Sequence, residues 1–441
     1  MNYADVADLD PTMLVEGQPY TVMLRHDGAS VPVDFEYSAR DLAAARERVI
    51  LRNRDKLGVL QQLHRYPAVF RLLDARQTGD DLARLETALA DVFTAPREVY
   101  IFGAHRIGAR VARFCAERGH TVKGFLDNDR NKHGLLFEGV PVLGADDVRI
   151  ENEVVVVGSG RYSNAILRQI AGAGWPTVLN LHEALFALRA PHCAEDDFRR
   201  FSAVLGDDAY RLISAFLELD DERSREVFNG LIEMRATLDT RGADAFKSPF
   251  DDEYLDTAFI EASDIAYYVD AGSYTGDTLE RFEKRFGPVT HAYMFEPELP
   301  AYYEGVKKFA ARNDVFFYNF GLSSQYEKFV YRPALSCDVF RQIDNPVPND
   351  ITSFIQAVRL DDVLTGKVTL FKLDIEGAEE SALRGASHAI RTQHPKLCVC
   401  AYHRADDLWK LIDAVKRIDA SYKVGLRHYA DVMEDTSLYF Y

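Results

Sequence analysis

The chain is poor in cysteine and in positive charge, and each shortage excludes something. Five cysteines in 441 residues, an odd number widely spread, argue against a disulfide-stapled fold and for a reducing cytoplasm. Lys and Arg number 52 against 69 Asp and Glu, a net charge of −17. Such a surface has no sequence-independent grip on nucleic acid or on an anionic membrane beyond local basic patches. No run approaches the ~20 apolar residues that span a bilayer. Met1 to Asp10 have neither a basic flank nor an apolar core, so no secretory leader is expected. The glycine turns contain neither a complete G-x-G-x-x-G fingerprint nor a phosphate-binding loop ending in Lys-Ser/Thr. What remains, 47% hydrophobic and 27% charged, is an ordinary globular composition. The length implies two or three domains.

Residues 1–95 read as mainly helical after a short extended start. Leu57, Leu60, Leu63 and Val69 to Leu73 fall at helical spacing, as do Leu82, Leu85, Leu89 and Val92. Pro96 marks a boundary. Over 96–190 short apolar strands alternate with helices: Val99 to Phe102 runs into Gly103-Ala-His-Arg-Ile-Gly108, Val122 to Leu126 ends in Asp127, and Val154 to Val157 enters Gly158-Ser-Gly160. This is a small Rossmann-like unit. His105 stands where a dinucleotide motif wants its middle glycine, while Asp127 sits near the place of a ribose-binding acid. Nucleotide-sugar binding and a plain strand-helix turn both stay open for it. Residues 191–249 read as an acidic helical connector, with one stripe of Tyr210, Ile213, Phe216 and Leu217 and another of Val227, Leu231, Met234 and Leu238. From 250 to 441 strand and helix alternate again and close with Tyr422 to Leu426 and Thr436 to Tyr441, with no helix between. Cys398 and Cys400 lie in an apolar run without a second Cys/His pair at zinc spacing, and so read as buried strand cysteines.

Chemistry concentrates in this last unit. The apolar run Ile265 to Val269 ends in Asp270. A glycine turn, Gly272-Ser-Tyr-Thr-Gly276, follows, and then Asp277 and a helical pattern with Leu279, Phe282 and Phe286 on one face. Strand, glycine turn, helix is the ligand-cradling end of a doubly wound sheet. The next strand, Ala292 to Phe295, ends in Glu296 and Pro297. Two acids at successive strand ends suit a ligand with an ammonium and a ribose diol, and S-adenosylmethionine has both. Further on come Asn319-Phe-Gly-Leu322, Val358-Arg-Leu-Asp-Asp362, Lys372-Leu-Asp-Ile-Glu-Gly-Ala-Glu379, Ala401-Tyr-His403 and Arg427-His-Tyr429.

This series, in this order, resembles the FkbM family of S-adenosylmethionine-dependent methyltransferases over about residues 205–441. The K-x-D-x-E-G-A-E run at 372–379 is its most specific piece. The resemblance implies an α/β class I methyltransferase fold, a Rossmann-like seven-stranded sheet preceded by the helical segment and the smaller Rossmann-like domain. It also implies a cofactor laid across the strand ends. Backbone amides from Gly272 through Ser273 and Tyr274 to Gly276, with Asp277 opening the helix, would hold the methionine portion. Asp270 would lie near its ammonium, Glu296 beside Pro297 would take the ribose hydroxyls, and Gly321 and Leu322 would flank the adenine. The N-terminal unit resembles small Rossmann domains of surface-polysaccharide and glycan-modification proteins.

An alcohol acceptor needs a positioned base, and Asp374, Glu376 and His403 are the candidates at the strand-end crevice. His403 is preferred because an unperturbed imidazole titrates near neutrality. The same three groups could instead hold a divalent cation; no metal is assigned. Asp374 has a plainer reading as a cap for the helix opening near Ala378, and His428 as a packing residue that could reach the crevice mouth. The expected activity is O-methylation of a sugar, glycan or related small molecule in the cytoplasm, with self-association left open. A nucleotide-sugar oxidoreductase or epimerase using residues 98–188, and a non-catalytic scaffold in glycan assembly, are the alternatives.

Overall fold

The computed structural model describes residues 19–26, 29–36, 63–73, 75–189, 204–206, 208–331, 341–342 and 353–441. Leu57 and Leu60, and the first residues of the connector, lie outside them. The extended start is an antiparallel hairpin, β1 (Pro19–His26) and β2 (Ala29–Glu36). Helices α1 (Pro67–Arg71) and α2 (Ala75–Ala90) follow. A side chain from far along the chain caps α1: Asn229 Oδ1 accepts from Ala68 N at 2.9 Å, satisfying a donor the helix cannot.

The first α/β unit is a six-stranded sheet of order β5-β6-β4-β3-β7-β8. Its strands are β3 (Glu98–Phe102), β4 (Thr121–Leu126), β5 (Leu136–Phe137), β6 (Val140–Leu143), β7 (Val154–Val157) and β8 (Thr177–Leu179). Only the β5–β6 pair is antiparallel. β7 is all valine and wholly buried, as a strand covered on both faces must be. Helix α3 (Arg106–Glu117) buries Val111 and Cys115, and α4 (Ser163–Ile170) and α5 (Leu181–Ala187) complete the cover.

Two helices link the units, α6 (Ala209–Glu218) and α7 (Glu222–Thr237). The α7 stripe of Val227, Leu231, Met234 and Leu238 is buried as expected. The α6 stripe is shifted. Leu212, Ala215 and Phe216 face inward, while Tyr210 and Leu217 are exposed, because the neighbouring helix and sheet meet α6 about one position round from the face read from spacing.

The second sheet has seven strands in the order β11-β10-β9-β16-β17-β19-β18. These are β9 (Tyr267–Ala271), β10 (His291–Phe295), β11 (Val315–Tyr318), β16 (Leu370–Leu373), β17 (Lys396–Cys400), β18 (Val424–His428) and β19 (Thr436–Phe440). Only β19 runs antiparallel to its neighbours. The order reverses at β9 and β16, so the crevice beyond their carboxyl ends is where such a sheet takes its ligand. Between β11 and β16 a four-stranded sheet is inserted, order β12-β15-β13-β14, from β12 (Gly321–Leu322), β13 (Glu327–Tyr331), β14 (Arg341–Gln342) and β15 (Ser353–Val358). Helices α8 (Asp277–Phe286), α9 (Leu299–Lys308), α10 (Leu360–Val363), α11 (Glu379–Gly385), α12 (Ser387–Gln393) and α13 (Asp407–Ile418) pack on the second unit. Cys398 and Cys400 are free thiols buried in β17. Among the described residues no helix is long and apolar enough to cross a membrane.

The two α/β units touch through the turn that joins β18 to β19. Asp431, buried there, accepts from Asn164 N in the first turn of α4 at 2.8 Å. Asn164 Nδ2 donates to Thr240 O at 2.9 Å. Burial lowers the His182 pKa to about 4, so its neutral Nε2 accepts from Met433 N at 3.1 Å.

Candidate active site

Strand β9 delivers Asp270 to the crevice, but not to its surface. In a strand, residues two apart share a face, and Asp270 shares that of Tyr268, which is wholly buried. The Tyr268 hydroxyl donates to Asp270 Oδ2 at 2.7 Å. The Lys372 ammonium, opposite Asp270 in the β9–β16 pairing, stands 2.9 Å from Oδ1. It also donates to the Gly272 carbonyl at 2.8 Å. Burial raises the Asp270 pKa, with Lys372 opposing it. Burial likewise works against the Lys372 charge, but Asp270 and Asp374 outweigh it and hold the ammonium protonated far above neutrality. The expected contact of Asp270 with a ligand ammonium is therefore replaced by an internal pair beneath the glycine turn.

That turn is tightly constrained. Gly272 has φ +76°, and a Cβ there would lie 1.8 Å from the Asp374 carbonyl oxygen. Only glycine lets the ends of β9 and β16 come this close. Gly276, φ +80°, opens α8 against the Phe309 ring. Tyr274 and Asp277 are exposed. The Ser273 hydroxyl is buried and, among the described residues, has no hydrogen-bond partner, so the turn holds an unsatisfied polar group. Glu296, at the end of β10, closes over it: Oε2 accepts from Tyr274 N at 2.9 Å and Oε1 from Glu298 N at 2.7 Å. Burial pushes its pKa up to about 7. Asn319 Nδ2 donates to the carbonyls of Glu296 and Pro297 at 2.9 and 3.0 Å, fixing that bend from the end of β11. Gly321 and the buried Leu322 follow in β12.

Past β16 the signature run forms an acid loop around one imidazole. His403 Nδ1 stands 3.0 Å from Glu379 Oε1, and Nε2 lies 3.4 Å from Asp374 Oδ1 and 3.6 Å from Glu376 Oε2. Burial alone would lower its pKa, yet Glu379, Asp374 and Glu376 raise it to about 10. The ring is thus an imidazolium at neutral pH. This reverses the reason for choosing His403 as the base: the carboxylates that gather round it keep it protonated. Among the described residues no group of three or more His, Cys, Asp or Glu is arranged to hold an ion.

Asp374 does not cap the following helix. α11 has no side-chain cap; Glu379 Oε1 folds back on the loop before it, accepting from Ile375 N at 2.9 Å and Gly377 N at 3.4 Å. Asp374 instead receives two phenols, Tyr254 at 3.0 Å and Tyr402 at 3.3 Å. Burial opposes its charge, but Lys372, His403 and Tyr254 prevail and lower its pKa. Glu376 is exposed, on left-handed backbone at φ +56°. His428 is fully buried and bonded through Nδ1 to Thr436 Oγ1 at 2.8 Å. Burial lowers its pKa to about 3; it packs and does not reach the crevice.

Four groups carry no assignment from the sequence. Lys372 was visible as the first letter of the signature, but its partner depended on strand register. Tyr254 lay in the element ahead of β9. Burial raises the Glu253 pKa to about 7 and the Asp435 pKa to about 6, with Asp374 among the charges each senses.

Residues 270–423 match the family model described as the methyltransferase FkbM domain. That match lies wholly within the C-terminal unit. The chain is similar in fold to the crystal structure of methyltransferase FkbM from Methylobacillus flagellatus KT, at 23% identity and a TM-score of 0.63, over 83% of this chain and 100% of that one. A putative rRNA methylase from Clostridium thermocellum is similar over 42% of this chain and 87% of its own, at 13% identity and a TM-score of 0.27. Fibrillarin from Aeropyrum pernix is similar over 41% and 69%, at 11% identity and a TM-score of 0.28. Among curated proteins none matches.

Two predictions follow from these charges. Lys372→Met strands a buried carboxylate and should cost about 3–5 kcal/mol in urea unfolding, whereas Asp270→Asn with Lys372→Met should cost less, because the pair is removed together. Equal losses would mean that the two groups do not act as a pair. The His403 imidazolium contributes stability that is whole below its unfolded pKa near 6.5 and is lost as pH rises towards about 10. The stability gap between wild type and His403→Gln should therefore be constant on the acid side and narrow above neutrality; a gap that widened with pH would mean a neutral ring.

Proposed function

We propose that the FkbM domain transfers a methyl group from S-adenosylmethionine to a hydroxyl of a sugar, glycan or related small molecule. The observation that carries the cofactor is Glu296. Its carboxylate is buried and pinned by two backbone N–H groups, yet a carboxylate has about four acceptor positions. The positions left over match the two donors of a ribose diol. The glycine turn, the unsatisfied Ser273 hydroxyl and the amides opening α8 suit a carboxylate and amine beside them. The chain's residues fit the group. Asp270 contributes from beneath, through Lys372 and the Gly272 carbonyl.

When bound, S-adenosylmethionine supplies a methyl on a sulfonium, open to in-line attack. The chain's part is alignment and proton removal. With His403 charged, Asp374 is the proton acceptor: it is ionised, 27% exposed, and oriented by Tyr254 and Tyr402. An attacking hydroxyl becomes strongly acidic as it takes the methyl, so a carboxylate of low pKa serves where it would fail on a free alcohol. The His403 imidazolium holds Asp374 and Glu376 in place.

The oxidoreductase reading of the N-terminal unit lacks support in the geometry. His105 Nδ1 caps α3 by accepting from Ile107 N at 3.3 Å, and its ring lies against Gly103, where an added Cβ would be 2.8 Å from Nε2. The helix N-terminus that a pyrophosphate would use is filled by the chain itself. Asp127 is spent on Ala104 N, Asp129 N and Lys132 Nζ. We assign this unit to acceptor recognition, and the buried thiols suit a cytoplasmic setting.

Isothermal titration of the full chain with S-adenosylhomocysteine should give one site, with NAD unable to compete. Glu296→Ala should weaken binding by ~1–3 kcal/mol; unchanged affinity would remove Glu296 from the ribose. In assays with labelled cofactor and fractionated cell glycans, Asp374→Asn should depress turnover about 10²–10⁴-fold with homocysteine-product affinity nearly intact, and chelators should have little effect. Loss of activity on chelation, restored by magnesium or manganese, would transfer the role to a cation.

A further inference from the structure

The loop after β7 carries Gly158 to Tyr162 at the carboxyl edge of the N-terminal sheet, the edge where an α/β sheet takes its ligands. It does not open on empty solvent. At Gly160 an added Cβ would stand 3.7 Å from the Val432 side chain, and the Asn164–Asp431 bond locks the next helix to the same turn. The ligand edge of the first unit is thereby set against the β18–β19 turn, which carries Asp435 beside the methyltransferase crevice. Burial and then Asp374 raise the Asp435 pKa, and Arg161 and His403 lower it, in keeping with that placement.

Arg161 is the cation this arrangement delivers. Its guanidinium lies over the Phe250 ring, 3.5 Å from the centroid. Phe250 is held in turn, its carbonyl accepting from Arg281 Nη2 at 3.2 Å. Four residues later stands Tyr254, whose hydroxyl meets Asp374. Arg161 is exposed, and among the described residues it joins no ion pair and donates no hydrogen bond. Stacking fixes the plane of the guanidinium and leaves its in-plane N–H fork unspent, a geometry that fits phosphate or carboxylate in bidentate fashion. Most other arginines around the second unit are committed: Arg281 to Glu253 and the 250–253 carbonyls, Arg404 to Gly377, Arg427 to Asp221 and Asp256.

We propose that the N-terminal unit supplies Arg161 as a specificity residue of the acceptor site, and that the acceptor is an anionic sugar, carrying a phosphate or carboxylate at the crevice rim. This rests on the hydroxyl-methylation reading above. The acids of the crevice set the orientation. Asp374 and Glu376 repel an anion from the depth of the site, so the hydroxyl points inward and the charged group stays at the rim with Arg161.

The test uses the full chain with methyl-labelled cofactor and fractionated cell glycans. The labelled product should be retained on an anion exchanger at neutral pH. Release by phosphatase marks a phosphate, and release by chemical reduction of carboxyls marks a uronic acid. Arg161→Ala should raise KM for the purified labelled fraction tenfold or more, leaving kcat, S-adenosylhomocysteine affinity and Tm nearly unchanged, and Arg161→Lys should recover part of the loss. A labelled product that passes the exchanger unretained, or an unchanged KM in Arg161→Ala, overturns the proposal. A fall in Tm, kcat and cofactor affinity together would make Arg161 a clamp between the units and also overturn it. Homocysteine-product binding without label in any fraction would instead bring down the hydroxyl-methylation reading, and this inference with it.

Discussion

The buried pair between Lys372 and Asp270 sits under everything the crevice does. It joins the two central strands at the point where the sheet order reverses. Through the Gly272 carbonyl it also fixes the turn above. A charge pair in so apolar a place is not a cheap source of stability; hydrophobic residues of like volume commonly do as well. Its value here is positional. With the carbonyl drawn down to the ammonium the turn is pinned, its Gly272 and Ser273 amides donating to the Phe295 carbonyl, Tyr274 N to Glu296 and Gly276 N to the Ser273 carbonyl, and the tight passage of Gly272 past the Asp374 carbonyl sets the distance between glycine turn and acid loop.

The second organising constraint is the grouping of three carboxylates on one imidazole. Glu379 serves two ends, bracing the loop before its helix and facing His403 Nδ1. Asp374 and Glu376 share the other nitrogen. The result is a charged but internally compensated loop in which Asp374, also bonded to two phenols, is held in a single orientation. Preorganisation of this kind suits the proton acceptor proposed above, which needs no reorganisation at the moment of transfer. The N-terminal unit adds to the same frame, since its α4 and His182 hold the turn that carries Asp435.

Much of this was legible in the chain. The alternation of strand and helix, the closing hairpin and the motifs at 270–276, 296 and 372–379 gave the sheet order and the crevice. What stayed hidden depends on where long-range neighbours fall. The inward direction of Asp270 could have been read from its two-residue spacing to Tyr268, but its pairing with Lys372 required the register of strands about one hundred residues apart. His403 looked like a neutral base because Tyr402 and Arg404 on either side of it carry no negative charge; the acids that charge it come from another strand end. The α6 stripe was misjudged for a related reason, as its buried face is chosen by what packs on it. Arg161 gave no signal, since nothing in the local sequence says that one unit's strand-end loop meets the other's hairpin.

A crystal structure of the full chain with S-adenosylhomocysteine tests the central claim most directly. The ligand should lie in the β9–β16 crevice with its ribose on Glu296, its methionine portion beside the glycine turn at the opening of α8, and Lys372 still paired with Asp270 beneath. Ligand density elsewhere, or an Asp270 carboxylate turned outward to meet the ligand's ammonium with the Lys372 pair broken, would contradict the account.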